Sequence, residues 1–130
     1  MQRDELIIRI AGEGGQGVVT VGQILQKVIA QSGLHILTES TFGFEIKGSE
    51  TVFQLRVSPW RILSQGDRID ILMVLNRESY RSHRANLFAG CVMIYDNEEI
   101  EPQKLEGTIF YSIPMSRICR SLGNPLSKNM

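Results

Sequence analysis

The stretch IAGEGGQGVVT, residues 10–20, constrains this chain more than any other, because it sets four glycines within six positions (12–17). It follows the apolar segment ELIIRIAG (5–12), which reads as a strand. It opens onto GVVTVGQILQKVIAQSG (17–33), where Val18, Val21, Ile24, Leu25, Val28 and Ile29 recur at helical spacing and Gly33 supplies a C-terminal stop. A strand that turns through glycines into a helix is the first half of a βαβ unit, and Gly12, Gly14 and Gly17 satisfy G-x-G-x-x-G. In that reading Gly12 permits the tight turn, Gly14 lets an anion approach the backbone, and Gly17 allows close helix–strand packing. The helix start supplies N–H groups and partial positive charge for a phosphate or pyrophosphate. Glu39 stands at the distance where a dinucleotide's ribose hydroxyl is met. A nucleotide P-loop is excluded, since no G-K-[ST] follows. A dinucleotide enzyme lacks support elsewhere, because no acid or base for hydride transfer is recognisable. A turn needed only for backbone geometry is the competing reading.

The remaining segments extend the alternation. LHILTE (34–39) reads as a second strand, and STFGFEIKGSE (40–50) as a loop. TVFQLRVS (51–58) is a strand ended by Pro59, and RIDILMVLN (68–76) is an apolar run typical of a strand covered on both faces. RESYRSHRANLFAG (77–90) reads as a polar helix with Tyr80, Leu87 and Phe88 as apolar contacts. CVMIYD (91–96) and GTIFYSIP (107–114) are further strands, and MSRICRSLG (115–123) is a short helix. The expected fold is therefore α/β: a three-layer, Rossmann-like open sheet, mostly parallel or mixed, in a single domain over 1–130. The strand at 51–57 interrupts strict alternation, which is what admits a mixed sheet.

With 14 basic and 14 acidic residues the formal charge is zero, so nothing favours nucleic acid or an anionic membrane. The longest apolar runs, such as ILMVL (71–75), fall far short of the roughly 20 residues of a membrane span. The start MQRDELIIRI does not have the form of a signal peptide. Cys91 and Cys119 are the only two cysteines, too few for an iron–sulfur cluster or a four-cysteine zinc site within the chain. Both read as packing residues and agree with a reducing, cytoplasmic setting.

A second polar constellation lies in FEIKGSETVFQLRVS (44–58). Lys47, followed by Gly48 and Ser49, sets a cation and a hydroxyl beside flexible backbone, a combination suited to phosphate or carboxylate. An ordinary surface turn is the alternative. Asn76 follows a central strand at its carboxyl end, where open α/β sheets place ligands. His35 and His83 lack metal-ligand spacing, Asp67 and Asp70 read as turn formers, and Trp60 reads as a core cap or interface residue. No residue is assigned to catalysis or to a metal.

Taken together, GEGGQGVVTVGQIL (12–25), FEIKGSETVFQLRVS (44–58), GDRIDILMVLNRESY (66–80) and AGCVMIYD (89–96) resemble the gamma subunit or domain of 2-oxoacid:ferredoxin oxidoreductases. The resemblance implies a component of an enzyme that oxidatively decarboxylates a 2-oxoacid to acyl-CoA and passes electrons to ferredoxin. It implies that thiamine diphosphate and iron–sulfur clusters reside in partner subunits, and that this chain helps shape the coenzyme A site and the assembly. On that view Gly12, Gly14, Gly15, Gln16 and Gly17 face the coenzyme A phosphates, with Lys47, Ser49 and Asn76 adding contacts. Two departures stand out. Relatives often carry E-I-R-G-G at Glu45–Ser49, and they usually continue beyond NPLSKNM, so the chain is a short form or a piece of a longer subunit. GDRIDILMVLNRESY leans towards the 2-oxoglutarate type.

Overall fold

The computed structural model describes residues 4–43 and 49–123. Its strands are β1 (Leu6–Glu13), β2 (His35–Phe42), β3 (Glu50–Ser58), β4 (Ile71–Val74), β5 (Val92–Asp96) and β6 (Ile109–Ile113). Its helices are α1 (Val18–Ala30), α2 (Arg77–His83) and α3 (Met115–Ser121), with a 3₁₀ turn at Arg84–Asn86. The six strands form one sheet in the order β2-β3-β1-β4-β5-β6. β1, β4, β5 and β6 pair in parallel, whereas β3 runs antiparallel to both β1 and β2. The sheet is thus mixed, as the interrupted alternation suggested.

Period-2 side-chain alternation gives each strand two faces, and helices cover both. On one face α1 packs against β3, β2 and β1, burying Ile10, Val18, Phe53, Leu55, Leu75 and Met115. On the other, α2 and the segment leading to β5 bury Ala11, Leu72, Val74, Tyr80, Met93 and Ile100. Helices on both faces make this a three-layer α/β fold. Cys91 and Cys119 are buried, in keeping with packing roles.

Three local outcomes differ from the sequence reading. β2 runs on through Ser40, Thr41 and Phe42, which pair with Phe53, Val52 and Thr51 where a loop was expected. The helix read over 77–90 stops at His83, because the chain tightens into a 3₁₀ turn and Leu87 is extended (φ −74°, ψ 143°). Trp60 is 68% exposed, so it does not cap the core of this chain.

Asp96 fixes the last helix. Its buried carboxylate accepts from the backbone N–H and hydroxyl of Ser116 and from the Glu98 N–H. The end of β5 is thereby tied to the start of α3, with Met115 and Cys119 turned inward.

Candidate functional site

α1 leaves β1 toward one face and α2 leaves β4 toward the other, so a crevice opens between the carboxyl ends of these adjacent strands. That divergence is the ligand position of open α/β sheets. The glycine loop enters it from β1 and Asn76 enters it from β4.

The loop is built from specific backbone needs. Gly15 (φ 89°) and Gly17 (φ 82°) occupy the left-handed region that side chains disfavour. Gly17 is the N-cap of α1 and offers no side chain to satisfy the first-turn amides. Gly14 donates its N–H to the Ser49 carbonyl (3.1 Å), which moors the loop to the lead-in of β3. A Cβ at Gly14 would meet nothing nearer than 3.9 Å, and one at Gly15 nothing within 4 Å. The outer side of the loop is therefore open, directly over a 13-residue helix whose dipole favours an anion there.

One glycine acts differently from the sequence reading. Gly12 lies inside β1 and makes no turn; a Cβ there would stand 2.8 Å from Gln16 Oε1. Close helix–strand packing is also required at Gly22, where a Cβ would collide with the Phe53 ring.

Gln16 and Asn76 turn inward. Gln16 is 7% exposed, and its Oε1 accepts from the Glu13 N–H (2.7 Å) and from Asn76 Nδ2 (3.3 Å). Asn76 Oδ1 caps α2 by accepting from Ser79 N–H (2.8 Å). These two amides brace the crevice from beneath, so the loop is held in shape by the element that follows β4. Of the other sequence candidates, Ser49 lies half-buried beside Gly14, and Lys47 lies outside the described residues. Thr51, which the sequence did not single out, brings its Oγ1 to the floor below Gly14.

Glu39 does not serve this crevice. β3 stands between β1 and β2, and Glu39 pairs opposite Gln54, which pairs opposite Arg9, well below the loop. A ribose contact like that of a dinucleotide fold would need β2 beside β1.

Glu39 instead joins a second polar cluster on the α2 side, lining an open cleft of about 270 Å³ with Arg9, Thr41, Glu50, Gln54 and His83. Arg9 donates through Nε to Gln54 Oε1 (2.8 Å) and through Nη1 to His83 Nδ1 (3.2 Å). That contact leaves His83 Nε2–H to donate to Glu50 Oε1 (3.1 Å). Burial pushes the His83 pKa below its ordinary 6.5, outweighing the upward pull of Glu50, and Arg9 adds to the depression. The His83–Glu50 contact is accordingly a hydrogen bond from a neutral ring. Burial also lowers Arg9, against the opposing carboxylates of Glu39, Glu50 and Asp67; as a guanidinium it stays charged. The one signal in the sequence was Arg9 itself, a cation inside the apolar run LIIRIA. Among the described residues no group of three or more histidines, cysteines or carboxylates is arranged to hold a metal ion. Nor is any helix there long and apolar enough to cross a membrane.

The profile of the pyruvate ferredoxin/flavodoxin oxidoreductase family matches residues 7–130. The 2-oxoglutarate synthase subunit KorC of Archaeoglobus fulgidus is 32% identical over 127 residues, taking in 97% of this chain and 66% of that one. The ketoisovalerate oxidoreductase subunit VorA of Methanothermobacter marburgensis is 26% identical, over 96% of this chain and 26% of its own. The present chain thus spans just under two thirds of the first relative and about a quarter of the second. Among solved structures, the 2-oxoglutarate:ferredoxin oxidoreductase of Magnetococcus marinus, with 2-oxoglutarate, coenzyme A and succinyl-CoA bound, superposes with a TM-score of 0.91 at 35% identity. It covers 98% of this chain and 23% of the larger one. The keto/oxoacid ferredoxin oxidoreductase gamma subunit of Geobacter sulfurreducens shares the fold (TM-score 0.81, 18% identity, 98% of this chain and 71% of that one). A family match over nearly the whole length, with a fold that superposes closely on that of the Magnetococcus enzyme, means that this chain belongs to the pyruvate ferredoxin/flavodoxin oxidoreductase family.

Proposed function

We propose that this chain is the gamma-type component of a 2-oxoacid:ferredoxin oxidoreductase, and that its glycine crevice holds an anionic part of coenzyme A. The observation that carries the reading is the open N-terminus of α1 at Gly14 and Gly15, set at the divergence of β1 and β4. The resemblance to a Magnetococcus enzyme with coenzyme A bound supports the choice of ligand. In the overall reaction a 2-oxoacid and coenzyme A give acyl-CoA, carbon dioxide and a proton, and two electrons pass to ferredoxin. Thiamine diphosphate and iron–sulfur clusters supply the decarboxylation and electron transfer, and other subunits hold them. Two cysteines in this chain are too few to ligate a cluster alone.

The work of this chain is to bind and orient. First-turn amides and the α1 dipole face a phosphate oxygen, the glycines let it approach, and the Gln16–Asn76 brace keeps the loop from relaxing. Ser49, whose carbonyl accepts from the Gly14 N–H, completes the reading as a secondary contact, together with Lys47 two positions before it in the sequence. Selection among oxoacids belongs to the thiamine-bearing subunit, in line with relatives named for both 2-oxoglutarate and ketoisovalerate.

Gly14→Asp tests this reading. Gly14 has ordinary φ and an open Cβ position, so the change leaves the fold intact and adds a negative charge at the helix start. In the assembled complex the KM for coenzyme A should rise by about tenfold or more, which is about 1.4 kcal/mol, while the KM for the oxoacid stays unchanged. An unchanged coenzyme A KM in an intact complex would leave the glycines a purely architectural role.

A further inference from the structure

Thr51 is 8% exposed, and its hydroxyl makes no hydrogen bond with any described residue, whereas the side-chain oxygens of Gln16 and Asn76 are taken up by the brace. A buried hydroxyl without a partner costs free energy, which a fold tolerates where a ligand completes the bond. Among the described residues only Gln65 Oε1 is both unbonded and closed off from water, so the Thr51 oxygen is reached from outside the fold.

It is reached from the crevice. Period-2 alternation puts Thr51 on the face of β3 that carries Phe53 and Leu55 to α1, and its partner across the ladder is Gly12, near the carboxyl end of β1. A Cβ at Gly12 would stand 3.1 Å from Val18 Cγ2, so this row ends beneath the first turn of α1. From the position that a Gly14 Cβ would take, on the open side of the loop, the nearest atoms are the Ser49 carbonyl oxygen and Thr51 Oγ1, each 3.9 Å away. The Ser49 oxygen already accepts from the Gly14 N–H. No carbon of Thr51 comes within 4 Å of that position, so the side chain turns its oxygen to the loop and its methyl away.

A β-branched side chain is stiff at χ1, so this aim is set before a ligand arrives. A ligand oxygen about 1 Å nearer than the Gly14 Cβ position is within hydrogen-bond reach of Thr51. A hydroxyl can donate or accept. Here the start of α1 favours negative charge, and towards an anionic oxygen the hydroxyl donates. We propose that Thr51 is a binding residue of the crevice, whose Oγ–H donates to the phosphate oxygen drawn in by the α1 N-terminus. The inference rests on the proposed coenzyme A reading and adds to it a side-chain donor held on a strand, where the helix start offers only amides and a dipole. A strand fixes such a donor more firmly than the loop fixes its own groups.

Thr51→Val tests it, because it keeps the β-branch and removes the donor. In the assembled complex the calorimetric Kd for coenzyme A should rise by about tenfold, the scale of a hydrogen bond to a charged group, while the KM for the oxoacid stays unchanged. Thr51→Ser, which keeps the hydroxyl, should restore most of the affinity. Dephospho-coenzyme A tells the two phosphate sources apart: a valine effect that persists puts the bond on the pyrophosphate, and one that disappears puts it on the 3′-phosphate. Melting of the full chain separates binding from architecture. Since the native hydroxyl bonds to nothing, Thr51→Val should melt at or above the native temperature. A lower Tm would make the hydroxyl structural and overturn the inference, as would equal weakening by valine and serine. An unchanged Kd in Thr51→Val, with Gly14→Asp still raising the coenzyme A KM, would overturn it and leave the functional reading standing. No effect of either variant on coenzyme A would remove both.

Discussion

Gln16 and Asn76 show how far single residues were readable. The sequence reading put both at the ligand, and in the fold both line the crevice between β1 and β4. Their polar atoms, however, are engaged with each other and with Glu13 N–H and Ser79 N–H. No spacing rule shows this, because the contact joins residues 60 apart that meet only once β4 lies beside β1. Asn76 therefore has two separable duties, and two substitutions part them. Asn76→Ala removes the α2 cap and should lower stability by about 1 kcal/mol, read as a fall of several degrees in Tm. Asn76→Asp keeps an acceptor for Ser79 but replaces the amide donor to Gln16 with a carboxylate oxygen. It should melt close to the native chain while raising the coenzyme A KM of the complex about as much as the alanine variant does. Equal melting of the two variants would show the cap to be idle.

At the scale of elements, α2 is a short rod fastened at both ends. Asn76 holds the glycine loop at its start, and at its end His83 joins Arg9 of β1 to Glu50 of β3. In the sequence His83 stands out only by its lack of metal-ligand spacing, since Arg9, Glu50 and His83 are collected only by the β1–β3 register and the return of α2 across it. That network makes stability depend on pH through a definite sign. Burial holds the folded His83 pKa below 6.5, so the unfolded chain takes up the proton first. The contribution of His83 is then complete above about pH 6.5 and is lost as pH falls from there through the lower folded value. Tm should drop between pH 7 and 5 more steeply for the native chain than for His83→Gln, which cannot titrate. Parallel Tm–pH curves for the two would refute the assignment.

For the molecule as a whole, the apolar runs of β1, β3, β4 and β5 made the class of fold legible, because core strands must carry them. Strand order was not legible. The sequence suggests β2 beside β1, as in a dinucleotide fold, whereas β3 returns antiparallel and takes that place; this is what removes Glu39 from the crevice. The missed end of β2 has the same origin: Ser40, Thr41 and Phe42 are exposed, so no buried face leaves a period, and their pairing comes from β3 alone. The resulting sheet has a centre closed on both sides and two unlike edges. β1 and β4 are flanked by strands and sandwiched between buried clusters, β2 is an edge with α1 on one face, and β6 is an edge whose α1-side residues lie open. Opening free energy follows buried apolar contact and access of water to the ladder. Amides of β1 and β4 in the free chain should therefore exchange slowest, those of β2 faster, and those of β6 fastest, with about tenfold or more between β4 and β6. Native-state hydrogen exchange read by NMR or mass spectrometry tests the order. Protection of β6 equal to that of β4 in a monomeric chain would mean that the open face is closed by the chain itself, and that the sheet unfolds as one cooperative unit from edge to edge.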